Sequence, residues 1–72
     1  MYLVSDEKHT PTACFTEYDD ALGLICSWHH LSARLAELGM ISHNMQAVYN
    51  TEKHIIGYIR YGVEINPSFI KR

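Results

Sequence analysis

The chain is poor in the residues that announce a chemistry. Of its 72 residues only two are cysteine, Cys14 and Cys26, two are proline and one is tryptophan. Two cysteines without an export signal read as free thiols of a reducing compartment, not as a disulfide framework. The first residues, Met1-Tyr2-Leu3-Val4-Ser5-Asp6-Glu7-Lys8, form neither a basic leader nor a long apolar stretch, so a cytoplasmic protein is expected. No apolar run has the length of a membrane span.

Positive charge is equally scarce. Lys8, Arg34, Lys53, Arg60, Lys71 and Arg72 are the six basic residues, scattered except for the last two, and the formal net charge is −2. Nucleic-acid binding by counterion release needs clustered cations, so it is the less favoured partner class. The four glycines, Gly23, Gly39, Gly57 and Gly62, are dispersed, which excludes a phosphate-cradling loop. Neither G-x-S-x-G nor H-E-x-x-H occurs. No enzymatic activity and no cofactor are therefore expected.

What remains is a composition suited to packing. With 47% hydrophobic and 19% charged residues the chain should fold as a single domain over residues 1–72. A domain this short buries a small core, which makes a second chain a natural source of further burial. Met1 to Val4 and Thr12 to Phe15, joined by the polar SDEKHTP, read as a hairpin with Pro11 at the start of its second strand. Thr16 is a candidate N-cap, and Glu17, Asp19 and Asp20 suit the positive end of a helix dipole.

From there Ala21, Leu24, Trp28, Leu31, Leu35 and Leu38 recur at spacings of three and four, which predicts one long helix ending near Gly39. Trp28 would be its main core residue. A second flank, Leu22, Ile25, His29, Ala33 and Ala36, is apolar and mostly small, and is the candidate homodimer contact. After Gly39 the pattern weakens. Extended structure resumes at Ala47-Val48-Tyr49 and from His54 to about Ile65, with Asn50-Thr51-Glu52-Lys53 as a hairpin loop and a bulge or bend at Gly62. Asn66-Pro67 should end the last strand, leaving Phe69 and Ile70 to dock on the body. The expected fold is α+β, a two-layer ββαββ arrangement with one long helix on an antiparallel sheet of about four strands.

Two groups of residues invite a functional reading. Cys26-Ser27-Trp28-His29-His30 gathers soft ligands, but helical geometry sends His29 and His30 in different directions and leaves Cys26 with His30 on the solvent side. Zinc would need further ligands from Cys14, His9, His43 or His54, none at a recognised spacing, so no metal site is expected. In the last strand, alternation sets Ile55, Gly57, Ile59, Tyr61 and Val63 on one face and His54, Ile56, Tyr58 and Arg60 on the other. With the first set under the helix, His54, Ile56, Tyr58 and Arg60 form an open patch of hot-spot composition, which Tyr2 or Tyr49 would extend.

The function these features point to is a non-catalytic protein-binding module. It would act as a small regulator or inhibitor occupying a surface of a larger partner, as the products of phages and mobile elements do against host machinery. The alternative is nucleic-acid binding. The segment LSARLAELGMISHNMQAVYN, residues 31–50, resembles a helix-turn-helix with Gly39 at the turn and Ser42 capping a second helix, and the open aromatic sheet face offers stacking.

Overall fold

A computed structural model of the chain describes residues 1–62; Val63 and the anticipated docking of Phe69 and Ile70 lie outside them. In chain order the elements are β1 (Tyr2–Ser5), β2 (Pro11–Phe15), α1 (Tyr18–Ser27), a 3-10 turn at Ala33–Leu35, β3 (Glu37–Ser42), β4 (Met45–Tyr49) and β5 (Ile55–Arg60). Among the described residues one helix packs on an antiparallel sheet, as the sequence implies, but the sheet has five strands in the order β2-β1-β5-β4-β3. The helix rests on β1, β2 and β5, so β4 and β3 extend beyond its footprint.

The helix is half the expected length, and local hydrogen bonding explains where it stops. The N–H of Leu31 donates to the carbonyl of Cys26 at 2.9 Å, and that of His30 to Ser27 at 3.4 Å. His30 has φ 52°. A six-to-one and a five-to-two bond around a left-handed residue make a Schellman termination, with histidine in the place that glycine usually takes. Leu31 then turns back against the core. Leu35 and Leu38 consequently belong to no helical stripe; the first lies in the 3-10 turn and the second in β3.

A helix ending at Ser27 also packs on a different side from the one the long stripe implied. Its buried residues are Ala21, Leu22, Ile25 and Cys26, and Trp28, just past its end, is 37% exposed. The anticipated core tryptophan is thus at the surface. The anticipated solvent-side Cys26 is buried, and Leu22 and Ile25, assigned to a dimer flank, point into the chain's own core. Val4, Ile25, Val48 and Ile59 are the largest fully buried side chains. At roughly 1.5–3 kcal/mol each, they supply much of what so small a core can offer.

Two loops share one construction. Asp6 Oδ1 accepts the N–H groups of Lys8 and Thr10 at 2.9 Å, and Asn50 Oδ1 accepts those of Glu52 and His54 at 2.9 and 3.0 Å. In each loop the residue three further on, His9 or Lys53, has positive φ, 66° and 65°. An Asp or Asn side chain organising the backbone two residues ahead is the reason these residue types start such turns. The second loop is the one expected at Asn50 to Lys53.

The chain bends at Gly62, φ 67°, as expected, and β5 itself carries a further irregularity earlier. Val48 pairs with Gly57 and Tyr49 with Ile55, so β5 carries one extra residue there, a β-bulge. The bulge turns Ile56 toward the core, where it is 2% exposed. Gly57 lies at the closest approach of helix and sheet: a Cβ there would stand 2.9 Å from Ile25 Cγ2 and 3.0 Å from the Ser5 carbonyl oxygen.

Candidate functional site

The four residues assigned to an open patch are dispersed by this fold. His54 and Arg60 are exposed, but Ile56 sits in the core and Tyr58 is 7% exposed. Tyr58 is on the face away from the helix, as alternation requires. It is covered there by His9, whose ring stacks on it with centroids 4.0 Å apart and planes 17° apart. The open aromatic face is therefore closed by the β1–β2 loop, whose left-handed residue is that same His9. In the dimer flank, His29 and Ala33 are exposed and Ala36 is half-buried, while Leu22 and Ile25 are not accessible.

The segment that resembled a helix-turn-helix is a β-hairpin. Residues 37–49 form β3 and β4 in antiparallel register, Leu38 opposite Val48 and Gly39 opposite Ala47, with a tight turn at His43 and Asn44. Gly39, expected at a helical turn, lies mid-strand with the Tyr49 ring beside it. The nucleic-acid reading is left without a recognition helix.

The cysteine and histidine cluster is similarly divided. Cys26 is 3% exposed, and burial pushes its thiol pKa up, which suppresses thiolate chemistry. His29 and His30 are exposed in the turn after the helix. Among the described residues no three of His, Cys, Asp and Glu come together as a metal site would require, and both cysteines are free.

Two features that sequence reasoning passed over stand out instead. The first is β3. Among the described residues it is an edge strand paired only with β4, and Leu38, Met40 and Ile41 along it are 45%, 53% and 52% exposed. Leu38 and Met40 pair with Val48 and Gln46, so they lie on the helix side of the sheet where the helix does not reach. Leu35, just before the strand, is also exposed. No charge occurs between Glu37 and Ser42, although edges are ordinarily blunted by charge or proline. The other edge, β2, begins with Pro11 and lies under the helix. A bulge at Ile41 confines the regular part of the β3 edge to Glu37 through Met40.

The second feature is a solvent-open cavity of about 620 Å³ lined by Met1, Tyr2, Thr16, Tyr18, Gln46, Tyr61 and Gly62. Three elements supply its rings: Tyr2 from β1, Tyr18 from the first position of α1, and Tyr61 from just beyond β5. Tyr61 is held by an N–H bond of 2.7 Å to the carbonyl of Asn44. The Tyr18 hydroxyl donates to Gln46 Oε1 at 2.5 Å. Burial, reinforced by Tyr61, pushes the Tyr18 phenol up to about 12. Burial raises the Tyr61 phenol as well, so both stay neutral donors at physiological pH. Alternation along β5 had placed Tyr61 on the helix side, but nothing local pointed to its meeting Tyr2 and Tyr18.

Comparison with protein families, characterised proteins and solved structures returns no match. No helix among the described residues is long and apolar enough to cross a membrane.

Proposed function

We propose that the chain is a non-catalytic protein-binding module, a small regulator or inhibitor that occupies a surface of a larger protein by adding its β3 edge to an extended segment of that partner. The observation that supports this reading is the apolar edge: a strand that pairs on one side alone among the described residues and whose side chains Leu38, Met40 and Ile41 face solvent. Strand addition would satisfy the free backbone groups of Glu37 to Met40, giving affinity, while Leu38 and Met40 meet apolar side chains on the partner strand, giving selectivity. An apolar cluster of this kind ordinarily marks an interaction site.

The test compares affinity capture from host extract by the wild-type chain and by Leu38→Lys with Met40→Lys. Both positions are exposed, so the charges should change stability by no more than about 0.5 kcal/mol. A protein retained by the wild type and lost with the lysine pair is the expected result. Retention that is indifferent to the pair would sink the reading. Sedimentation of both forms at several concentrations identifies a second copy of the chain as the occupant, if association is seen and the lysines abolish it.

A further inference from the structure

Hydrogen-bond alternation fixes which backbone groups the β3 edge offers. The Tyr61 N–H donates to the Asn44 carbonyl, so these two form a hydrogen-bonded pair. Met45, next along and opposite Arg60, therefore turns its own N–H and C=O away from β5 and toward β3. Ala47, two residues on, does the same and exchanges bonds with Gly39 opposite. Leu38 and Met40, on either side of Gly39, consequently direct their N–H and C=O groups away from β4, out of the sheet. Among the described residues nothing pairs with that outer side.

Resting on the strand-addition reading of this edge, we propose that its resting occupant is a second copy of the chain, with β3 antiparallel to β3 about a two-fold axis at Gly39. Leu38 of each copy then lies opposite Met40 of the other, and every outward group is used, in four hydrogen bonds. The neighbouring two-fold registers do worse. Centring on Leu38 sets Met40 against Ala36, whose N–H is already held by the Ala33 carbonyl at 3.3 Å. Centring on Met40 sets Leu38 against Ser42, beyond the bulge. The side chains agree with the Gly39 register. Leu38 and Met40 share one face, so each leucine meets a methionine across the axis, and such a contact is its own complement. Gly39 adds no side chain where strands paired in this way approach most closely.

Charge permits the approach. Glu37 is the one charged residue of β3, and Lys53 compensates it at 3.5 Å. About the Gly39 axis the two Glu37 residues stand four residues apart along the strands, about 13 Å, beyond the ~8 Å screening length of physiological salt. A contact through one short strand falls below the ~1,200 Å² of a stable interface, so the pair is weak and reversible. The same four groups serve copy or partner, which makes self-pairing and partner capture mutually exclusive.

The experiment mixes isotope-labelled and unlabelled full chain and follows it by NMR and sedimentation from micromolar to millimolar concentration. Half-dimerisation at about 0.1–1 mM is expected, with contacts between copies joining Gly39 to Gly39 and Leu38 to Met40. The N–H groups of Leu38 and Met40 should exchange about fivefold or more slowly in the dimer than in the monomer, and that of Gly39, bonded to Ala47 in both, should change less. Leu38→Lys with Met40→Lys should stay monomeric. Leu38→Lys with Met40→Glu sets opposite charges across each pair of the Gly39 register, so it should dimerise within about tenfold of wild type at low salt, and less as salt rises. A wild type still monomeric at several millimolar, a dimer whose copies meet elsewhere, or a lysine and glutamate pair that behaves like the two lysines would overturn the proposal. Partner capture governed by Leu38 and Met40 in a chain that never self-associates keeps the partner reading and removes the self-pair. A Gly39-centred dimer that captures nothing does the reverse.

Discussion

Gly57→Ala sets two physical effects against each other, and the structure decides their order. In an average strand, replacing glycine by alanine stabilises by about 0.5–1 kcal/mol, because glycine has more backbone freedom to lose on folding. At Gly57 the new methyl would stand 2.9 and 3.1 Å from Ile25 Cγ2 and Cδ1, and 3.0 Å from the Ser5 carbonyl oxygen. Ile25 is fully buried and cannot swing into solvent, and Ser5 is tied into the β1–β5 ladder opposite Tyr58. Overpacking of this kind costs about 1–3 kcal/mol, which exceeds the entropic gain. A net loss of about 1–2 kcal/mol should lower the urea midpoint without changing m, and lower the melting temperature by about 5–15 °C. Ile25→Val removes the Cδ1 contact. It should therefore cost less in the Gly57→Ala background than in the wild type, with a coupling of about 0.5 kcal/mol or more. A midpoint that is unchanged or raised in Gly57→Ala would refute the claim that this glycine is required by the approach of the helix.

The remaining predictions concern the helix end and the cavity. His30→Gly relieves a non-glycine residue of its left-handed conformation, φ 52°, and should stabilise the fold by about 0.5–1 kcal/mol in a denaturant melt. Destabilisation would mean that the imidazole makes a contribution larger than this strain. In a spectrophotometric alkaline titration one tyrosine, Tyr18, should ionise near 12, and Tyr18→Phe should remove that phase. Because its folded pKa lies above the unfolded value of 10.0, its contribution to stability is complete below pH 10 and is lost as the pH rises toward 12. Tyr18→Phe should accordingly flatten the alkaline fall in stability, and an identical fall in both proteins would place its cause elsewhere.

Much of the topology is legible in local chemistry. The β1–β2 hairpin, the helix beginning within the acidic stretch, the Asn50 loop and the last strand each rest on turn residues, dipole complementarity or β-branched runs that act over a few residues. What misleads is the leucine series. Leu24, Leu31, Leu35 and Leu38 fit a helical period, yet the chain leaves the helix at Ser27 because His30 takes a left-handed conformation that glycine usually marks. Once that turn is made, the same leucines serve other ends: Leu31 closes the helix against the core, and Leu35 and Leu38 reach the surface. Periodicity alone could not separate these outcomes, since the Schellman bonds depend on backbone geometry that histidine adopts rarely.

The error at the helix end propagates into the functional reading. A twenty-residue helix would have extended toward β4 and β3, used Leu35 and Leu38 in the core, and left the face of β5 away from it as the natural contact surface. A ten-residue helix reverses this. Its short footprint exposes Leu38 and Met40 on the helix side of β3, and its first residue meets Tyr2 and Tyr61 beside the cavity, which Gln46, the cross-strand partner of Met40, also lines. The opposite face is occupied meanwhile by the β1–β2 loop, which the Asp6 carboxylate shapes so that His9 lies on Tyr58. Both candidate surfaces thus follow from where the helix begins and ends. Restoring helical propensity at residues 28–31 would not transfer them elsewhere, because β3 already pairs with β4 through a complete hairpin register.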